Sequence, residues 1–549
     1  MRRARGAVMV SLVAVVASCV APSPGIAQAV AQAVAQAVAR PQAPRRVLLI
    51  PLDDRPSSRQ FPMRIAEIAG ITVVTPPREL LGRFTAFGDP EAIATWLRAQ
   101  DLASFESAIV SLDMLAYGGL VASRVSASGS AADARRRLDV LRELKRTAPR
   151  LPILAASTIM RLAPTADGVN ESFRVELARW AELSDERDSA SIVETARVAA
   201  RIPPAALAAY RETRTRNAAI NRYATDLVRD HVVDRLILSQ DDARARGVHL
   251  EERARLQQHI DSTRLRDRIS VQAGTDEVAM LLLTRAVLAH GGERPRIAPI
   301  YSSPTMQRTL MPYEDVPLET TVRQLIEAAG GTETTDGERA DHRLFVYTSR
   351  GEAGAAARFV EQVRRAVVAG DRGVIVADID PKGDVQGSDT TFITTLIEAG
   401  IFAKLDAYAS WNTAGNTIGT ALAQGMLHRS GSVSHTPDRA RAQHWFLLDR
   451  LFDDYLYHAI LRPVAITELR ARGWNPAQLD LGQSAIAAST LTTRLRTMAA
   501  PLVERLAARG GPRDARGSSC PRPADLHLQL PWSRLFESEL DFTLAAGCR

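Results

Sequence analysis

From Val47 onward, short apolar runs rich in Val, Ile, Leu and Ala recur along the chain. Each is followed by a stretch whose apolar residues fall three or four apart. The runs predict strands at Val47–Leu52, Ile71–Val74, Ala108–Leu112, Pro152–Ala156, Arg235–Ser239, Ile269–Gln272, Arg296–Ile300, Leu344–Tyr347, Val374–Ala377 and Lys404–Tyr408. Val140 and Leu144, Leu256 and Ile260, and Phe359 and Val363 each share one helical face. Strands apolar on both faces, alternating with helices, imply a parallel sheet covered on both sides. The expected class is therefore α/β. It takes one of two forms: a (β/α)-barrel-like sheet with an additional α/β lobe and a helical C-terminal segment, or two-lobed doubly wound parallel sheets. The predicted strands outnumber those of a simple barrel, so some belong to an added lobe.

The pattern divides the chain into three. Residues 1–43 hold a basic start, "MRRARG", a short apolar core and low-complexity "AQAV" repeats. This reads as a signal peptide and tether, with an apolar core too short to span a bilayer. Two exits are open: a lipoprotein box ending at Cys19, or ordinary cleavage after "AQA" at Ala27–Ala29. Residues 44–430 form the α/β region, with a polar, mainly helical insertion at 163–234. Residues 431–549 are mainly helical, with a Gly/Pro-rich link at Gly510–Pro523 and a strand in which Leu526, Leu528 and Leu530 alternate. Export makes a Cys520–Cys548 disulfide the expected fate of the remaining cysteines, worth about 3 kcal/mol by loop closure.

Composition narrows the function. The chain has 549 residues, 46% hydrophobic and 24% charged, with a formal net charge of +7. The excess is arginine spread along the chain, without a basic block interleaved with aromatics, so no nucleic-acid partner is expected. The membrane is expected to matter only through a lipid on Cys19. Aromatic content is 5%, which draws attention to aromatics in polar loops. There is no CxxC or HExxH, so a conventional zinc site has no support; no metal or other cofactor is expected.

A recurring sentence carries the candidate chemistry: a strand, then a carboxylate. "PLDDRP" places Asp53, Asp54 and Arg55 after the first strand, and "SLDMLAYGGLVASR" places Asp113, Tyr117 and Arg124 after the third. "STIMR" places Arg161 after the fourth, "LSQDDA" places Asp241 and Asp242 after the fifth, and "AGTDE" places Asp276 and Glu277 after the sixth. Tyr301 ends the seventh, and "WNTAGNTIG" brings Trp411, Asn412 and Asn416 after the last. Arg216 and Asn217 sit in the helical insertion. C-terminal strand ends of parallel α/β folds open onto one face, where ligand-binding groups collect. A single Asp at such a place is ordinarily a helix cap or turn residue. Adjacent carboxylates after two strong strands need a further reason, because like charges repel.

Carboxylates, Asn and Trp together suit a polyhydroxylated ligand. Glycoside hydrolysis needs two carboxyls in different protonation states. The leading expectation is an exported glycoside hydrolase acting on a glycan or small-molecule substrate. Asp241, Asp242, Asp53 and Asp54 are its candidate catalytic carboxyls, and the other residues named are substrate contacts. Two alternatives stand beside it: a hydrolase using Asp53, Asp54, Asp113 and Asp242 as oxygen ligands for magnesium or calcium, and a non-catalytic sugar- or cell-wall-binding lipoprotein.

The motifs "PLDDRP", "LDMLAYGGL", "STIMR", "TRTRNAAIN", "SQDDA", "AGTDE" and "WNTAGNTIGTALAQG" together resemble a bacterial family catalogued only as a domain of unknown function, over Arg45 to about His428. That resemblance implies one shared site and no activity. A weaker likeness, to barrel hydrolases that cleave N-acetylglucosaminides by substrate assistance, implies that Asp241 orients an acetamide while Asp242 protonates the leaving oxygen.

The N-terminal reading has a direct test. Mass spectrometry of the protein from its native envelope is expected to find a chain beginning at Cys19 or near Val30; an intact Met1 overturns the export reading.

Overall fold

The computed structural model describes residues 45–545 except 169, 187, 385, 433–435 and 511–521. The expected signal segment and tether, and Cys19, Cys520 and Cys548, lie outside the described residues. No helix among the described residues is long and apolar enough to cross a membrane.

Two parallel sheets organise the chain. The first contains β1 (Arg45–Ile50), β2 (Ile71–Val74), β3 (Ser107–Ser111), β4 (Ile153–Ile159), β5 (Arg235–Gln240) and β6 (Ile269–Ala273), in the order 2-1-3-4-5-6. The second contains β7 (Arg296–Tyr301), β8 (Thr332–Glu333), β9 (His342–Tyr347), β10 (Gly373–Asp378) and β11 (Ala407–Ala409), in the order 8-7-9-10-11. The α/β parallel class holds. Both sheets are open, each with two edge strands, so the two-lobed form of the expectation applies rather than a closed barrel. The same order, with the second strand outside the first and the rest added on the other side, occurs in both lobes. An antiparallel pair, β12 (Pro523–Gln529) and β13 (Glu539–Leu544), completes the strands. β8 is too short to register as a pattern. β13 does alternate, burying Leu540, Phe542 and Leu544, and was missed.

The first sheet shows why its strands read as unbroken apolar runs. Val47 and Leu49 of β1 pack into one core, and Leu48 and Ile50 into another on the opposite face. The first of these cores continues into the second lobe. Helix Val278–His290, which follows β6, packs against β3 and β4 and also against helix Ala414–His428 of the second lobe. Met280, Leu281, Leu282 and Leu283 are all buried, because this helix lies between two layers and has no solvent face to spare.

Insertion 163–234 is helical as expected, with helices Arg174–Leu183, Ser189–Ala199 and Pro204–Arg229. After helix Pro437–Arg450 the chain continues as an 11-residue π-helical stretch, Leu451–Leu461. Such wide turns are rare and concentrate at functional sites.

A shared core predicts shared unfolding. Leu281→Ala is expected to cost about 2–5 kcal/mol and to lower a single cooperative transition in calorimetry. Separate transitions, only one of them displaced, would refute the coupling of the lobes.

Candidate functional site

The C-terminal strand ends of the first lobe and loops of the second surround an open cavity of about 290 Å³. That is near the lower end of small-ligand pockets, which span about 300–1,000 Å³. Arg55 follows β1, Arg124 follows β3, Arg161 follows β4, Asp241 and Asp242 follow β5, and Asp276 follows β6; all line it. Gln386 and the Asn412–Asn416 loop enter after β10 and β11. Trp532, Arg534 and Phe536 come from the loop between β12 and β13. Ligands of doubly wound sheets bind at such strand ends, near the strands where the order reverses.

Arg55 is the hub. Its Nη2 donates to Asp53 Oδ2 at 2.8 Å and to Asp276 Oδ1 at 2.7 Å, while Nη1 donates to Asp276 Oδ2 at 3.1 Å. Glu537 lies 3.6 Å away, and the guanidinium sits 4.6 Å over the Trp532 ring. Arg534 donates to Glu537 from the other side, at 2.8 Å through Nε. Burial pushes Asp276 up to about 6, although Arg55 opposes the shift and Asp53 adds to it.

Asp53 and Asp54 part company at this point. Asp53 is buried behind Arg55 and does not line the cavity. Asp54 accepts from Trp532 Nε1 at 2.7 Å and from Arg78 Nε at 3.3 Å. One member of the pair therefore fixes the arginine and the other fixes the C-terminal loop that closes over it. Both stand in the irregular bend after β1, outside the ladder, so neighbouring carboxylates are free to turn to different partners.

The second pair does meet the cavity. Asp241 Oδ2 accepts from Arg124 Nη2 at 2.6 Å and Nε at 3.0 Å, and Asp242 Oδ2 accepts from Arg161 Nη1 at 2.7 Å. Arg124 Nη1 also donates to Thr165 Oγ1 at 2.8 Å.

Several sequence candidates serve beside the cavity rather than in it. Arg216 donates to the carbonyls of Ser123, Val125 and Gly129, and Asn217 Nδ2 to that of Ser123 at 2.8 Å. They hold the loop that carries Arg124 and are not placed to contact a ligand. Tyr117 lies under Arg216, 4.3 Å from ring to guanidinium carbon. Gly118, in the left-handed region, packs against the backbone of Gly82 and Gly88. Asp113 is buried and accepts from the Thr158 amide at 2.8 Å; burial lifts it to about 6. It borders a water-sized void of about 20 Å³ beneath the cavity, which Asp276 also borders. Trp411 packs edge-on against Phe61 at 5.6 Å and donates to Thr420, so it is core rather than a sugar platform. Tyr301 is half-buried at the end of β7, away from the cavity. Asp53, Asp54, Asp113 and Asp242, weighed above as metal ligands, point to four different partners. No group of three or more His, Cys, Asp or Glu among the described residues is disposed to hold a metal ion.

Glu277 acts through Asn416, whose Nδ2 donates to it at 2.6 Å. Its other oxygen is buried without a partner, and burial pushes the carboxyl up to about 8. The helix that carries Asn416 makes room for it: a Cβ on Gly419 would stand 2.5 Å from Glu277 Cγ. Nearby Glu314, which accepts from the Gly415 amide at 3.0 Å, is pushed by burial to about 7. The glycines of "WNTAGNTIGTALAQG" are thus spacing residues, and only the Asn412–Asn416 end reaches the cavity.

The backbone around the cavity is also unusual. Asp242, Tyr313, Gln386 and Asn412 all line it and all have positive φ, between 37° and 67°. Each costs on the order of 1 kcal/mol, and such strain gathers at functional sites. Below lies the π-helical stretch. At its start Arg450, the last residue of the preceding helix and fully buried, pairs with Asp449 and Asp454, and a second water-sized void touches Asp276, Gln386, Asn412, Asp453 and His458. Trp532, Arg534, Phe536 and Tyr313 were missed from sequence; the isolated "PWSRLFE" aromatics in a polar loop were the available signal.

Fold and cavity define a two-lobed α/β protein with a polar cavity at its strand ends. The chain belongs to the family described as Protein of unknown function (DUF4127), which matches residues 47–541 and so includes the C-terminal loop that closes the cavity. No curated protein matches the sequence.

Glu277 sets a pH test. Its folded-state carboxyl holds a proton that the unfolded chain releases near pH 4.5. Its contribution is therefore fully present below that pH and is lost as pH rises through about 8. Glu277→Gln, which keeps a neutral group, is expected to flatten the decline in melting temperature across this window. An unchanged pH slope would contradict the assignment.

Proposed function

We propose that the protein is an exported glycoside hydrolase whose cavity supplies a proton from Asp276 and a carboxylate from the Asp241/Asp242 pair. The observation that supports this most directly is the charge count around Asp276. Two guanidiniums, Arg55 and Arg534, face three carboxyls, Asp53, Asp276 and Glu537, while Arg462, which also acts on Glu537, is shared with Asp453. In a buried place the leftover negative charge is relieved by one proton. Asp276 is the one of the three that lines the cavity, and its elevation to about 6 agrees.

The Asp241/Asp242 pair occupies the opposite kind of environment, each carboxylate matched to its own arginine. Two acids in contrasting surroundings are what general acid and base or nucleophile roles require. Asn412 and Asn416 offer donors and acceptors for sugar hydroxyls. Although burial opposes it, Arg534 and Arg55 hold the Glu537 carboxyl below the ordinary carboxylate range, which leaves the proton to Asp276.

Asp276→Asn and Asp241→Asn are each expected to lower turnover of a susceptible glycoside about 10²–10⁴-fold with the fold intact by circular dichroism. In the parent protein kcat/KM should fall as pH rises through about 6, because Asp276 loses the proton it must donate. That limb is absent from any residual activity of Asp276→Asn if the assignment holds. Persistence of the same limb in the variant would assign the proton elsewhere.

A further inference from the structure

We propose that the glycosyl residue bound here carries an oxyanion (carboxylate, sulfate or phosphate) seated between Arg161 and Arg174. The inference rests on the glycoside reading and adds the charge of the substrate to it.

The cavity is unevenly charged. At the end formed after β3, β4 and β5, three arginines, Arg124, Arg161 and Arg174, face two aspartates, Asp241 and Asp242. Arg124 is fully used: Nε and Nη2 on Asp241, Nη1 on Thr165. The other two are not. Arg161 commits Nε to the Ala163 carbonyl and Nη1 to Asp242, and its Nη2 has no acceptor among the described residues. Arg174 Nε is buried and makes no hydrogen bond. Its one ionic neighbour among the described residues, Glu171 Oε2, stands 3.7 Å away on a side chain that is 54% exposed. Such a surface pair contributes little.

Unfilled guanidinium donors lining a cavity form a receptor for a planar or tetrahedral oxyanion, because Arg presents paired N–H groups that match it. The other end, where Arg55 and Arg534 face three carboxyls, has the opposite imbalance. A ligand with an anionic substituent is thereby oriented: its charge goes to Arg161 and Arg174, and its glycosidic oxygen toward Asp276. A neutral sugar leaves the arginine donors unpaired in a partly buried place, which carries a cost.

The test is calorimetric titration of the full-length protein with glucuronate, glucose 6-sulfate, glucose 6-phosphate and glucose. At least one acidic sugar is expected to bind about tenfold or more tightly than glucose, the effect of one charge-assisted contact. Inorganic phosphate and sulfate serve as controls for anion binding without the sugar. Arg174→Gln, with the fold checked by circular dichroism, should remove the preference for the acidic sugar. Arg174→Lys should keep part of it. Equal affinity for glucose and all three acidic sugars overturns the inference, as does a preference that Arg174→Gln leaves unchanged. Phosphate or sulfate binding as tightly as the acidic sugars also overturns it. Turnover of neutral glycosides with no anion preference defeats this inference and leaves the hydrolase reading standing. Aryl glycosides of the acidic sugars that bind through Arg174 but are never cleaved, by contrast, would defeat the hydrolase reading alone.

Discussion

One guanidinium ties together the parts of this molecule that are furthest apart in sequence. Arg55, from the turn after β1, is bonded to Asp53 beside it and to Asp276 after β6, and lies near Glu537 in the C-terminal hairpin. Its face rests on Trp532, which is in turn held by Asp54. Withdrawing this cation would leave Asp53 and Asp276 without their guanidinium partner, a loss of about 3–5 kcal/mol for one broken pair. The β1 turn, the β6 turn and the hairpin meet around the same charge.

The second constraint is the packing of helix Val278–His290 between the lobes. It begins at Glu277, so the helix that joins the two cores also aims the residues at its start. Asp276 turns toward Arg55 and Glu277 toward Asn416. Close approach of helix Ala414–His428 needs the missing side chains at Gly415 and Gly419, since Cβ atoms there would meet Glu314 and Glu277. The cost is a group of buried acids with elevated proton affinity, Asp113, Asp276, Glu277 and Glu314, which makes stability depend on pH.

Four of the nine non-glycine residues with positive φ among the described residues line the cavity. Left-handed backbone at Asp242, Tyr313, Gln386 and Asn412, an unpartnered Glu277 oxygen and the π-helical stretch with the buried Arg450 at its start all sit on or near one region. Each departs from the lowest-energy local choice. Their concentration is the physical signature of a site whose geometry is held by the rest of the fold.

The sequence by itself determined the strands of both sheets, apart from the two-residue β8 and the bounds of β11, expected at Lys404–Tyr408 and found at Ala407–Ala409, because a strand buried on both faces must be apolar at consecutive positions. It also determined that carboxylates and arginines gather at strand ends, since parallel sheets send those ends to one side. Of the candidate residues it brought forward Arg55, Arg124, Arg161, Asp241, Asp242, Asp276, Asn412 and Asn416, all found lining one cavity. It did not separate those from Asp53, Asp54, Tyr117, Arg216, Asn217 and Trp411, which hold the walls from behind. That distinction depends on which way a side chain turns and what it meets, and the partners lie up to 478 positions away, as with Asp54 and Trp532. A motif records that a residue type stands after a strand. Only tertiary packing decides whether it faces the solvent-filled cavity or a buried arginine, because both environments suit a carboxylate and the local sequence is the same for either.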